Sequence, residues 1–94
     1  MEEEKKGFIP PNPDFSFFVT TISLQATISL GQIPNPATSK TEEDLVQAKF
    51  LIDTLGMLQE KTKGNLSADE SRLLDNILFE LRAAYLSKAE GKEK

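Results

Sequence analysis

The chain has 94 residues, enough for one domain, and at that size folding buries only about 60–65% of the unfolded chain's surface, which leaves little room for a deep cleft. Hydrophobic residues make up 38% and charged residues 28%, a globular composition, and the net charge of −4 without a basic cluster argues against nucleic acid as a partner. With no cysteine, histidine or tryptophan, the chain has no disulfide, thiolate metal site, cysteine nucleophile or imidazole base, and it fits a reducing, cytoplasmic setting.

The N-terminal stretch "MEEEKKGFIPPNP" opens with three acids, two lysines and then prolines. A signal peptide needs a positive start running into an apolar stretch, so this one reads as a disordered tail over residues 1–12. "FSFFVTTISLQATISL", residues 15–30, is too short and too rich in hydroxyl groups to span a bilayer.

That same stretch carries the first helix, expected over 13–30. Asn12 is placed to cap it, Pro13 to occupy its first turn, and Gly31 to stop it. Phe15, Phe18, Val19, Ile22, Ala26 and Leu30 fall on one helical face, with Phe17, Leu24 and Ile28 on another. Ile22, Leu24, Ala26, Ile28 and Leu30 also alternate with polar residues, the pattern of a half-buried strand. Helix is the better reading, because the start and stop signals are helical and no other segment offers a partner strand.

"QIPNPATSK" is a connection, since its two prolines exclude regular helix. The second helix is expected over 42–63, opened by Thr41 and Asp44 as a capping box with three acids in its first turn. Its stripe is Leu45, Ala48, Leu51, Ile52, Leu55 and Leu58, at steps of three and four. The third helix is expected over 68–88, with Leu73, Leu74, Ile77, Leu78, Leu81, Ala84 and Tyr85 on one face. Residues 89–94 read as a polar frayed tail.

"KTKGNLSADE", residues 61–70, admits two readings. A phosphate loop needs backbone N–H groups converging on one point, with a lysine and a hydroxyl just after the last glycine. Here the lysines precede Gly64, and Asn65 and Leu66 follow it. The stretch is better explained as a corner: Lys61 and Lys63 complement the end of helix two, Gly64 takes a left-handed position, and Ser67 with Glu70 forms a capping box. So short a corner makes helices two and three an antiparallel hairpin. Folding about residues 65 and 66 sets position 53 near 78 and 49 near 82.

Each hairpin helix also carries a second stripe: Val46, Phe50, Asp53, Met57 and Glu60 on helix two, and Asp75, Phe79, Arg82 and Leu86 on helix three. One short helix cannot cover all of this apolar surface and hide its own second face. A homodimer or higher oligomer follows, with helix one at or near the subunit interface and Phe15, Phe17, Phe18, Ile22, Leu24, Ile28, Phe50, Met57, Phe79 and Leu86 as interface residues. Asp53 and Arg82, about one turn out of register, are placed for a structural ion pair. A catalytic role for Asp53 lacks a histidine or second inward carboxylate beside it. Glu60 and Glu80 do not recreate a di-metal bundle site, which needs a Glu-x-x-His pattern.

"FSFFVTTISLQATISLGQIPNP" together with "DLVQAKFLIDTLGMLQEKTKGNLSADESRLLDNILFELRAAYL" resembles the small bacterial family of domain of unknown function 1844, over about residues 15–86. "IDTL" at 52–55, "KTKGNL" at 61–66, "LL" at 73 and 74 and "LR" at 81 and 82 carry the resemblance. It implies a short cytosolic helical protein and supports helix over strand for the first segment, and it brings no catalytic residue, substrate or cofactor. Gly56 interrupts helix two with a residue that costs about 1 kcal/mol relative to alanine.

The sequence therefore predicts an all-α protein of three helices in a homo-oligomer, with helix one packed on the hairpin and no cofactor, catalytic or metal site implied. Its leading functional reading is a non-enzymatic interaction module that binds itself and an unidentified protein. A small-molecule binder or enzyme with a site between subunits, using Asp53, Arg82, Lys61 or Tyr85, is the alternative. Peripheral membrane binding through helix one, Phe8 and Ile9 ranks last, because helix one lacks a lysine-rich polar face.

Overall fold

Three capping side chains fix where the helices begin. Asp14 Oδ2 accepts the Phe17 N–H at 2.9 Å, and Asp44 Oδ1 accepts the Gln47 N–H at 3.0 Å. Ser67 Oγ accepts the Glu70 N–H at 3.1 Å while Glu70 Oε1 accepts the Ser67 N–H at 2.9 Å, a reciprocal capping box. The computed structural model describes residues 12–92, and behind these caps run α1 (Phe15–Ser29), α2 (Leu45–Lys61) and α3 (Ala68–Lys92). No strand forms among the described residues; an isolated bridge pairs Asn35 with Lys40. Apart from Asn12, the tail expected over 1–12 lies outside them.

Two helix starts differ from the sequence reading. Asp14, not Asn12, caps α1, and Asp44, not Thr41, caps α2, so no acid stands in the first turn of either helix. The physical reason for the second shift is that the Asp44 N–H is held by the Ser29 carbonyl at 2.8 Å. This bond ties the start of α2 to the end of α1 and keeps Thr41, Glu42 and Glu43 outside the helix.

At the other end of α1 the Gly31 N–H donates to Ile28 O at 3.0 Å and the Gln32 N–H to Thr27 O at 3.2 Å, with Gly31 at φ +79°. This is a Schellman ending, which needs a left-handed residue where Gly31 stands. In the connection that follows, Asn35 Oδ1 accepts the Ala37 N–H at 2.8 Å, and Asn35 O accepts the Ser39 N–H at 2.7 Å. Ser39 closes that turn at φ +62°.

The alternation of residues 22–30 does not define a face. Val19, Ala26 and Leu30 are fully buried while Leu24 is exposed, the spacing of a helix. Thr21 and Thr27 return their hydroxyl protons to the carbonyls of Phe17 and Ser23, both at 2.9 Å, so their polarity is satisfied within α1.

Val19 and Ala26 of α1 and Leu30 at its C-cap meet Ala48, Leu51, Ile52 and Leu55 of α2 and Leu74, Leu78 and Leu81 of α3 in one core with no buried polar group among the described residues. All three helices touch each other. Leu30, Leu55, Leu74 and Leu78 are the largest fully buried side chains, each contributing about 1.5–3 kcal/mol by leaving water.

The corner between α2 and α3 takes more chain than a simple fold about residues 65 and 66. Asn65 N–H closes a turn onto Thr62 O at 2.8 Å with Gly64 at φ +86° in its third position, and Ser67 is still outside α3. The hairpin register moves accordingly: Gln59 Nε2 donates to Asp75 Oδ1 at 2.6 Å, where the simple fold sets Gln59 opposite Arg72. Beyond residue 88, α3 continues to Lys92 instead of fraying. Lys88 Nζ lies 3.4 Å from Glu43 Oε2, which anchors the last turns of α3 on the α1–α2 connection.

Candidate functional site

Helix α1 covers one side of the hairpin, and the opposite side is open. Core contacts use Ala48, Leu51, Ile52 and Leu55 on α2, whereas Val46, Phe50, Asp53 and Met57 project about half a helical turn away from them. On α3, Phe79, Arg82 and Leu86 likewise stand clear of the buried Leu74, Leu78 and Leu81. Val46 is 83% exposed, Phe79 75%, Phe50 65%, Leu86 58% and Met57 47%.

All of these except Met57 edge a shallow depression along the hairpin, whose adjoining portions share lining residues. At one end it is lined by Val46, Phe50, Lys49, Asp53 and Tyr85; in the middle by Ile52, Asp53, Arg82, Tyr85 and Leu86; at the other end by Gln59, Asp75, Phe79, Ala83 and Leu86. The middle portion encloses about 230 Å³ and the two ends about 370 and 400 Å³, so volume alone does not separate the depression from small-molecule pockets of about 300–1,000 Å³.

Asp53 pairs with Lys49 one turn earlier on α2, at 2.8 Å through Oδ2, and not with Arg82. This pairing has a simple cause: a lysine four residues before the carboxylate reaches it along the same helix, while the two exposed ends across the hairpin are free to diverge. Hydrogen bonding to Asp53, followed by the charge of that carboxylate, raises the Lys49 ammonium above its ordinary value. Sequence reasoning passed over Lys49, although its spacing from Asp53 was a usable signal. Arg82 instead lies over Gly56, with Nη2 3.0 Å from where a β-carbon would stand, and makes no ion pair among the described residues.

The remaining candidates fall into two groups. On α1, Phe17, Phe18 and Leu24 are at least half exposed, whereas Phe15 and Ile22 pack half-buried against the core and Ile28 is also half-buried. In the corner, the amides of Lys63, Asn65, Ser67 and Glu70 are committed to Glu60 O, Thr62 O, the Glu70 carboxylate and Ser67 Oγ. The Glu70 carboxylate occupies the start of α3, where an anion would have to bind. A cavity beside the corner is also lined by Glu60 and Asp75, which disfavours phosphate there. Tyr85 is half-buried against the core. Among the described residues, no group of three or more His, Cys, Asp or Glu could hold a metal ion, and no helix is long and apolar enough to cross a membrane.

Fold and surface together define a small all-α protein: a helical hairpin with a third helix on its back and an apolar face left open in front. Residues 12–87 match the family described as Domain of unknown function (DUF1844), and the chain belongs to that family. No curated protein and no solved structure matches the chain.

Proposed function

We propose that this protein is a non-enzymatic helical module that works by protein–protein contact, first of all with copies of itself. The observation that carries this reading is the open side of the hairpin, where five large apolar side chains stand 47–83% exposed and four of them, Val46, Phe50, Phe79 and Leu86, edge one depression. Scattered exposed apolar residues are normal on a monomer, but a contiguous set on two neighbouring helices marks an interaction surface. Phe17, Phe18 and Leu24 on the outside of α1 supply a second, smaller apolar surface for a further protein partner. The absence of cysteine and histidine from the whole sequence fits both a reducing cytoplasmic setting and a role without nucleophilic or imidazole chemistry.

Light scattering on the full chain over a concentration series tests the reading. An assembly of two or more chains is expected, and a compact monomer up to high micromolar concentration would overturn it.

A further inference from the structure

The two stripes on the open side share one spacing. On α2 the positions are Val46, Phe50, Asp53, Met57 and Glu60; on α3 they are Asp75, Phe79, Arg82, Leu86 and Ala89. Both advance by four, three, four and three, and each α3 residue stands 29 positions beyond its α2 counterpart, as Arg82 does beyond Asp53. Steps of three and four are those of a coiled-coil seam, so each stripe stays on one side of its helix. Asp53 and Arg82 also line the same middle portion of the depression, which places them side by side near the centre of the face.

We infer that the open face is the contact between two copies of this chain, related by a two-fold axis that passes between Asp53 and Arg82. Such an axis runs along the hairpin, exchanges the stripes and, because α2 and α3 are antiparallel within one chain, lays α2 antiparallel to the partner's α3. It sets Asp53 against the partner's Arg82, and because the steps on the two stripes nearly mirror each other about that pair, the neighbouring positions follow to within one residue: Phe50 faces the partner's Leu86, and Met57 faces the partner's Phe79. At the ends, Val46 meets the partner's Ala89 and Glu60 meets the partner's Asp75, so the acidic groups fall at the solvated rim. Each contact occurs twice, as a two-fold interface requires.

Charge argues for a second copy over an unrelated apolar partner. A guanidinium on an apolar face without an ion pair gains from an incoming carboxylate. Asp53 offers one, because Lys49 engages only its Oδ2. An apolar partner would bury both groups without that compensation, at considerable cost. About 21 Å along each helix and two helix diameters across gives roughly 420–500 Å² in plan, which places the contact at the small end of specific interfaces. This inference rests on the proposed self-association and specifies its surface and geometry.

Sedimentation equilibrium on the full chain separates the two claims, with circular dichroism verifying that each variant keeps its helices. The unsubstituted chain is expected at twice its monomer mass. Phe79→Glu is expected to weaken the dimer at least tenfold, while Leu24→Glu on the outside of α1 leaves it unchanged. Arg82→Glu sets two acids against each other at both central contacts, and Asp53→Lys sets two bases. Each alone is expected to weaken the dimer at least tenfold, and mixing the two restores a dimer. In the mixture the unsubstituted Asp53 of one variant meets the unsubstituted Arg82 of the other at one contact, and the introduced acid meets the introduced base at the second. A dimer that ignores Phe79→Glu but dissociates with Leu24→Glu overturns this interface and keeps the self-association reading. Failure of the mixture to recover overturns the Asp53–Arg82 register. A monomeric unsubstituted chain overturns both claims.

Discussion

Arg82 lies across the hairpin on Gly56, its Nη2 3.0 Å from the point where a β-carbon would stand. The contact explains how a glycine in mid-helix is accommodated: the arginine fills the space that a larger side chain would take. It does not require glycine, because the crowding atom is the far end of a flexible side chain. Gly56→Ala is therefore expected to stabilise the fold by up to about 1 kcal/mol through helix propensity, with Arg82 moving aside. Urea denaturation measures it, and a loss of stability would show that the guanidinium is held in place.

Gly64 presents the opposite case. Nothing lies within 4 Å of its missing β-carbon, yet its φ is +86°. Gly64→Ala is expected to cost about 1–2 kcal/mol from backbone strain alone. Lys61→Ala, at the exposed end of α2, should cost at most about 0.3–1 kcal/mol. Chemical denaturation of the two variants side by side tests the corner, and a Lys61→Ala variant that lost anion affinity while keeping its stability would revive the phosphate-loop reading.

The caps predict an ordering along the chain. Asp44→Ala and Ser67→Ala each remove an acceptor from a helix N-terminus and are expected to cost about 1 kcal/mol. Thr41→Ala should be close to neutral, since Thr41 caps nothing in the structure. Thermal melts of the three variants distinguish this from the expectation of a box built on Thr41 and Asp44.

Burial separates two α2 residues only five positions apart. Leu55 is fully buried, and Leu55→Ala is expected to cost about 2–5 kcal/mol. Phe50 is 65% exposed and lies outside the core, so Phe50→Ala should leave the unfolding free energy of the isolated chain within about 0.5 kcal/mol while weakening self-association. Denaturation at low and high protein concentration reads the two effects apart.

Lys49 gives a pH signature. Its ammonium is raised above 10.5 by the hydrogen bond to Asp53 and by that carboxylate's charge. A raised folded-state value means that this contribution of Lys49 is present below the unfolded value and is lost as pH climbs through the folded one, so it fades in alkali. Asp53→Asn is expected to lower the Lys49 titration midpoint, measured by NMR at the ε position, with little change in stability at neutral pH because the pair is exposed.

How much of this was legible depended on how local the physics was. Three helices, their main stripes, the capping box of Ser67 and Glu70 and the stop at Gly31 all rest on interactions spanning a few residues. Thr41 and Asn12 misled because good capping residues stood near one another, and at the start of α2 the choice was made by a bond from Asp44 to Ser29 that joins two helix ends. The length of α3 was likewise hidden, because its anchor at Glu43 lies 45 positions from Lys88 in the chain.

For the surface the division is similar. The sequence by itself determined that each hairpin helix has a second apolar stripe and that no histidine or cysteine chemistry is available, since periodicity and composition need no coordinates. Only the tertiary structure decided which stripe α1 covers, that Asp53 turns to Lys49, and that Arg82 is left over Gly56 without an ion pair among the described residues. Those outcomes depend on hairpin register and on the side from which α1 packs. Both are set by distant side chains competing for the same space, and no local pattern records the result of that competition.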